Sequence, residues 1–186
     1  RRYSSAMRNH QGLSFLLALS IIRCDVVLAQ QVPAATVTAR PTPSSSDTLM
    51  LLAGSDHPPV ALSPAEFASI PHVTLSVHNA HSNADESYSG VPLPMLLAKL
   101  NAPLGNDLRG KQMTRYVMAT GADHYSVVFS LAEVDPSFHA GQIIVADARD
   151  GKPLGNDGPF RLVVTDDKRP ARWVHNLVSI TLANAE

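Results

Sequence analysis

Residues 143–182 (IIVADARDGKPLGNDGPFRLVVTDDKRPARWVHNLVSITL) constrain the fold more than any other stretch. They contain three short apolar runs, at 143–146, 160–164 and 177–182. Each is rich in β-branched residues and too short for a stable helix. Asp150-Gly151 and Asp157-Gly158-Pro159 stand between the first two. Glycine supplies positive φ there, and proline fixes φ while offering no N–H to a ladder. The block therefore predicts three strands separated by tight turns. Arg161, Lys168, Arg169 and Arg172 gather around the second strand and its exit, beside Trp173. Such cations either lie solvated on the surface or, at a sheet edge, receive an anion.

Upstream, the same signals continue. Residues 49–52 and 60–62 read as two strands joined by a turn. Ser63-Pro64-Ala65-Glu66 is a capping box with proline at the first helical position, predicting a short helix to about residue 69. Residues 72–77 alternate as a strand, and residues 78–87 (HNAHSNADES) read as a polar loop. Residues 92–100 carry Leu93, Leu96, Leu97 and Leu100 on one helical face. Residues 101–111 read as loop, and 116–119 and 125–129 as strands around the turn TGADH. Ser130-Leu131-Ala132-Glu133 is a second capping box. Seven or eight strands with two or three short helices predict a β-rich α+β domain. The pentapeptide PLGND occurs at 103–107 and 153–157 and reads as one turn used twice. Neither a P-loop nor a dinucleotide fingerprint follows a strand, and no nucleophile elbow is present.

The N-terminal part has another character. Arg8, the apolar run 13–22 (LSFLLALSII) and Val27-Leu28-Ala29 have the order of an export signal, with Met7 as the start and cleavage after Ala29. The apolar run is too short for a membrane span and is broken by Arg23 and Asp25. Residues 30–47 are rich in Pro, Ser, Thr and Ala and read as a disordered lead-in. The domain is expected over 48–186, in an exported, periplasmic or secreted protein with no membrane span after cleavage. The chain beyond Ala29 keeps 11 of 15 Lys+Arg and 15 of 16 Asp+Glu, a net charge of −4 with His neutral. It has no basic stripe for a phosphate backbone, which excludes nucleic acid as the expected partner. Cys24, the one cysteine, precedes Ala29, so the exported form has no thiolate.

The pattern DGKPL, then GPFRLVV, then ARWVHNLVSITL resembles the C-terminal half of the molybdopterin-binding oxidoreductase domain of the sulfite-oxidase family. YSGVPLPMLLAKL at 88–100 resembles the middle segment of that family, and the resemblance spans residues 49–182 in the same motif order. It implies a single molybdopterin-binding domain fold. It also implies that Arg161, Lys168 and Arg172 hold the cofactor's phosphate, through charge-assisted and, for arginine, bidentate hydrogen bonds. In the family, molybdenum is held by the two pterin sulfurs and one cysteine thiolate, from the segment that corresponds to 77–88. That segment has no cysteine here. Ser82, Asp85 or Ser87 would have to replace a soft donor with a hard one.

Two functional classes follow. One is an accessory or ligand-binding protein without cysteine-ligated molybdenum, taking a small anionic ligand or a periplasmic protein partner. The other is a molybdopterin-dependent oxidoreductase with a non-cysteine metal environment. A metal-binding reading is also open, because His78, His81 and Asp85, with Glu86, place imidazoles and carboxylates within nine residues. A polar hairpin or loop would show the same composition. For acid–base work, Asp123, His124 and Tyr125 put a carboxylate, an imidazole and a phenol side by side, provided that they converge on one cleft.

Overall fold

The computed structural model describes residues 47–54 and 57–185. The expected signal at 1–29 and the lead-in at 30–47, apart from Asp47, lie outside the described residues. Ten strands are present among them: β1 (Leu49–Ala53), β2 (His57–Leu62), β3 (Val73–Asn79), β4 (Ala84–Pro92), β5 (Arg115–Gly121), β6 (Ser126–Ser130), β7 (Ile143–Arg149), β8 (Lys152–Pro153), β9 (Arg161–Val164) and β10 (Leu177–Asn184). They form two five-stranded sheets. The first runs β2-β1-β10-β5-β6. The second runs β3-β4-β7-β8, with β9 also paired to β7. One contiguous apolar core draws on both sheets, from Leu49 and Leu51 through Val91 and Phe129 to Ile144, Val163 and Ile180.

This corrects the expected α+β class: the fold is mostly β. The described helices are α1 (Pro64–Ala68), α2 (Leu93–Ala98) and α3 (Leu131–Val134), none longer than six residues. Helices so short cannot form a layer of their own. They plug sheet ends, α1 with Phe67 and α2 with Leu93, Leu96 and Leu97, all fully buried. Both capping boxes form. Ser63 N–H donates to Glu66 Oε2 (2.9 Å), and Ser130 N–H donates to Glu133 Oε2 (2.8 Å). The serine oxygens accept the Glu66 and Glu133 amides in return.

The turns follow the residues that need them. Asp150 and Gly151 take φ of 51° and 71°, the pair of left-handed positions that a two-residue hairpin requires between β7 and β8. The Gly-Asn-Asp part of each PLGND segment folds into a 3-10 turn, with Gly105 at φ 61° and Gly155 at φ 63°, while Leu104 before it is extended and Leu154 is helical.

A second correction concerns residues 78–87. They are not a loop. β3 and β4 pair in antiparallel register from Val73↔Gly90 to Asn79↔Ala84, leaving only residues 80–83 as the turn. β4 lies in the interior of its sheet, between β3 and β7, although its sequence is ADESYSGVP. Its inward positions explain the poor signal. Glu86 is polar, and Gly90 is pressed against the β7 backbone, where a Cβ would overlap Val145 O. Of the three, only Tyr88 is a large apolar residue.

Candidate functional site

The inward face of β4 meets β7, β9 and the segment after β9 in a network of buried polar groups. Tyr88 is fully buried, and its hydroxyl donates to Glu86 Oε2 (2.6 Å). Glu86 also accepts from Asn79 Nδ2 (3.0 Å) and the Ser82 hydroxyl (2.9 Å). Burial works to raise the Glu86 carboxyl. The hydrogen bonds from Tyr88, Asn79 and Ser82, helped by the Arg149 charge, outweigh it and hold the group below its ordinary value. Burial first, and then the bond to Glu86, push the Tyr88 phenol up to about 12. This phenol keeps its proton at neutral pH and is no base there.

Arg161 opens β9 and is 9% exposed. Its Nη1 donates to Asp157 Oδ2 (2.6 Å), and Arg149 Nη1 donates to the same oxygen (3.1 Å). Its guanidinium carbon lies 5.6 Å from the Tyr88 ring centroid and 5.7 Å from that of Trp173, within cation–π range. Tyr88 and Trp173 meet edge to face at 5.8 Å, and Trp173 Nε1 donates to Val164 O (2.9 Å). Among the described residues, Arg161 Nε is left buried with no hydrogen-bond partner.

The other expected cofactor-binding residues are placed differently. Arg172 is gripped by Asp167 through two bonds, Nε to Oδ2 (3.0 Å) and Nη2 to Oδ1 (2.6 Å). Its Nη1 donates to Glu133 Oε1 (3.1 Å), and its guanidinium carbon lies 4.5 Å from the Phe129 ring centroid. The Asp167 hydrogen bonds push its already high pKa further up. Lys168 and Arg169 are exposed and make no ion pair among the described residues. The structure thus brings Arg161 to Tyr88 and Trp173, and it ties Arg161 and Arg172 to separate carboxylates.

Asp123, His124 and Tyr125 do not converge. They form the tip between β5 and β6, where Asp123 Oδ1 accepts the Tyr125 amide (3.0 Å) and closes the turn. Asp123 Oδ2 lies 3.9 Å from His175 Nε2, not near His124. Tyr125 points its hydroxyl to Ala171 O (2.6 Å), and His124 takes φ 67° at the tip. Neighbours in a tight turn splay, and that separates the three side chains.

His78 and Asp85 do meet, at 2.9 Å, because the β3–β4 register sets them directly opposite. His81 sits in the turn, its amide bonded to Asn79 Oδ1 (2.9 Å). Among the described residues, no group of three or more His, Cys, Asp or Glu is placed to hold a metal ion. His72 faces away to Asp147, with Nε2 3.2 Å from Oδ2. Sequence reasoning missed the acids that matter here: Asp157, Asp167 and Glu133. Two of them stand four and five residues before the arginines they bind, a spacing that carries no directional meaning in a turn.

No family model matches the chain, and no curated protein matches it. A solved structure does: the sulfane dehydrogenase SoxCD from Paracoccus pantotrophus, at 19% identity and a TM-score of 0.57. The match covers 77% of this chain and 40% of that one, so this chain spans well under half the length of its structural neighbour. At that identity the likeness is one of fold, and the chain has a distant, partial likeness to a molybdopterin-enzyme-like fold.

Proposed function

We propose that this chain is an exported accessory or ligand-binding domain, built on a fold shared with molybdopterin oxidoreductases but holding no cysteine-ligated molybdenum. The observation that carries the reading is the internal neutralisation of its arginines. Arg161 and Arg149 share Asp157, and Arg172 is taken up by Asp167 and Glu133. A phosphate arriving at Arg172 would have to displace a bidentate carboxylate already in place. The segment 77–88 offers no thiolate, and its carboxylate Glu86 is occupied by three donors. These residues do not suit a molybdenum–pterin group.

The test is elemental. The full chain is produced with its own leader in a host that makes molybdopterin, purified and assayed for molybdenum, copper and zinc. The expected result is no stoichiometric molybdenum. One molybdenum per chain overturns the reading, and copper or zinc lost in His81→Ala would move the function to the 78–85 hairpin. A second reading, an oxidoreductase with a non-cysteine metal environment, draws on one observation: the Arg161 Nε left buried without a partner. Such an orphan donor is uncommon and suits an acceptor that arrives from outside.

A further inference from the structure

We infer that the end of the first sheet forms a binding site for a small carboxylic acid, with Arg115 receiving the carboxylate. This goes beyond the proposed function and lies on other elements, since the Arg161 network belongs to the second sheet. Four strand ends meet here. Ala53 pairs with Leu182 and with His57, and Asn184 pairs with Arg115. The turn after α2 borders the space with Leu100 and Asn101. Between them lies a cavity of about 630 Å³, within the range of small-molecule sites.

Its lining has two characters. Leu100 and Leu182, each 3% exposed, provide an apolar floor. Arg115, His57, Asn101 and Asn184 provide a polar rim, and no carboxylate lies among the lining residues described. His57 Nδ1 is engaged by Pro58 O (2.9 Å), which leaves Nε2 for another partner. Arg115 is the unusual group. Among the described residues, Lys99, Arg109, Lys111, Lys152, Lys168 and Arg169 also lack an ion pair, but all are exposed and water serves them. Arg161 is buried, Arg149 and Arg172 are half-buried like Arg115, and each of those three has a carboxylate. Arg115 is half-buried, has no carboxylate or hydrogen-bond acceptor for its side chain among the described residues, and lines the cavity. A partly desolvated guanidinium with no counter-charge among the described residues favours an incoming anion. Its planar fork matches the two oxygens of a carboxylate. The apolar floor beside it suits a short hydrocarbon body on the same molecule.

The test uses the full chain with leucine methyl groups labelled for NMR, titrated with hexanoate, hexanol and acetate. Hexanoate is expected to shift the Leu100 and Leu182 methyls saturably, and hexanol and acetate to bind at least about tenfold more weakly, since each lacks one of the two contacts. Arg115→Gln is expected to bind hexanoate at least about tenfold more weakly, and Arg109→Gln to bind as the unchanged protein does. The rest of the methyl spectrum reports whether each variant is folded. If Arg115→Gln fails to fold, Arg115→Lys, which keeps the charge and loses the fork, is titrated and is expected to bind more weakly than the parent. Shifts that spare Leu100 and Leu182, equal binding of hexanol, or undiminished hexanoate binding by the titrated Arg115 variant would overturn the inference. Molybdenum content and hexanoate binding are separate readouts, so either proposal can fail alone.

Discussion

Arg161 Nη1 and Asp157 Oδ2 lie 2.6 Å apart, and this contact ties the first residue of β9 to the 3-10 turn just before it. Arg149 binds the same oxygen from β7, so one carboxylate neutralises two guanidiniums from two strands. Asp157→Ala would leave Arg161 buried with an uncompensated charge. The expected loss is about 2–3 kcal/mol, below the usual figure for a buried pair because Asp157 keeps some contact with water. Urea unfolding followed by the fluorescence of Trp173, the single tryptophan of the sequence, measures it. A loss within error of zero would show the network to be idle.

Tyr88 predicts an alkaline transition. Its folded pKa, about 12, is raised above the ordinary value of 10.0. A raised pKa means that the folded state holds the proton more tightly. The resulting stability is complete below pH 10 and is lost as pH rises towards 12. The unchanged protein should weaken over that window, and Tyr88→Phe should lose less. Absorbance titration of the phenols should show one tyrosine ionising late, and that step should be absent from the variant.

Glu133 predicts the acid side. Burial works to raise its carboxyl, but the Ser130 amide and hydroxyl and the Arg172 guanidinium together hold it below the ordinary 4.5. A depressed pKa stabilises the fold above the unfolded value, and that contribution is lost as pH falls through the folded one. Stability should therefore fall as pH drops below about 4.5, alongside similar contributions from Glu86 and Asp135. Glu133→Gln should flatten this slope, measured as the urea midpoint against pH.

Gly90 and Gly151 separate two reasons for glycine. At Gly90 a Cβ would overlap Val145 O and Ala146 Cα, both backbone atoms that cannot step aside. Gly90→Ala is expected to cost more than about 3 kcal/mol and to reduce soluble yield sharply. Gly151 has open space around it but takes φ 71°. Gly151→Ala should cost only about 1 kcal/mol. Equal effects at the two positions would contradict the β4–β7 packing described above.

Local chemistry was legible where the residues themselves made the contact. Ser63 with Glu66 and Ser130 with Glu133 announced their helix starts, and PLGND announced one turn geometry twice. β4 was not legible, because the evidence for a strand lies in its partners: Glu86 is satisfied by Asn79 and Ser82 of the hairpin, and Gly90 is required by β7. The helical class was overestimated because capping boxes mark where helices begin and not how far they run. At the candidate site, the pairing of Arg172 with Glu133 was not legible, since it joins residues 39 positions apart. Arg115 drew no notice in the sequence because a lone arginine at a strand start looks like any other surface cation. Only its half-buried place in a half-open cavity, with no acceptor among the described residues, sets it apart.

The first sheet has β10 at its centre, with β1 on one side in parallel and β5 on the other in antiparallel register. During synthesis, β1 and β5 emerge long before the strand that joins them. Until residues 177–184 clear the ribosome, the two hairpins β1–β2 and β5–β6 have no shared sheet to enter. The first sheet therefore stays unassembled, and its strand edges unpaired, until β10 has been made.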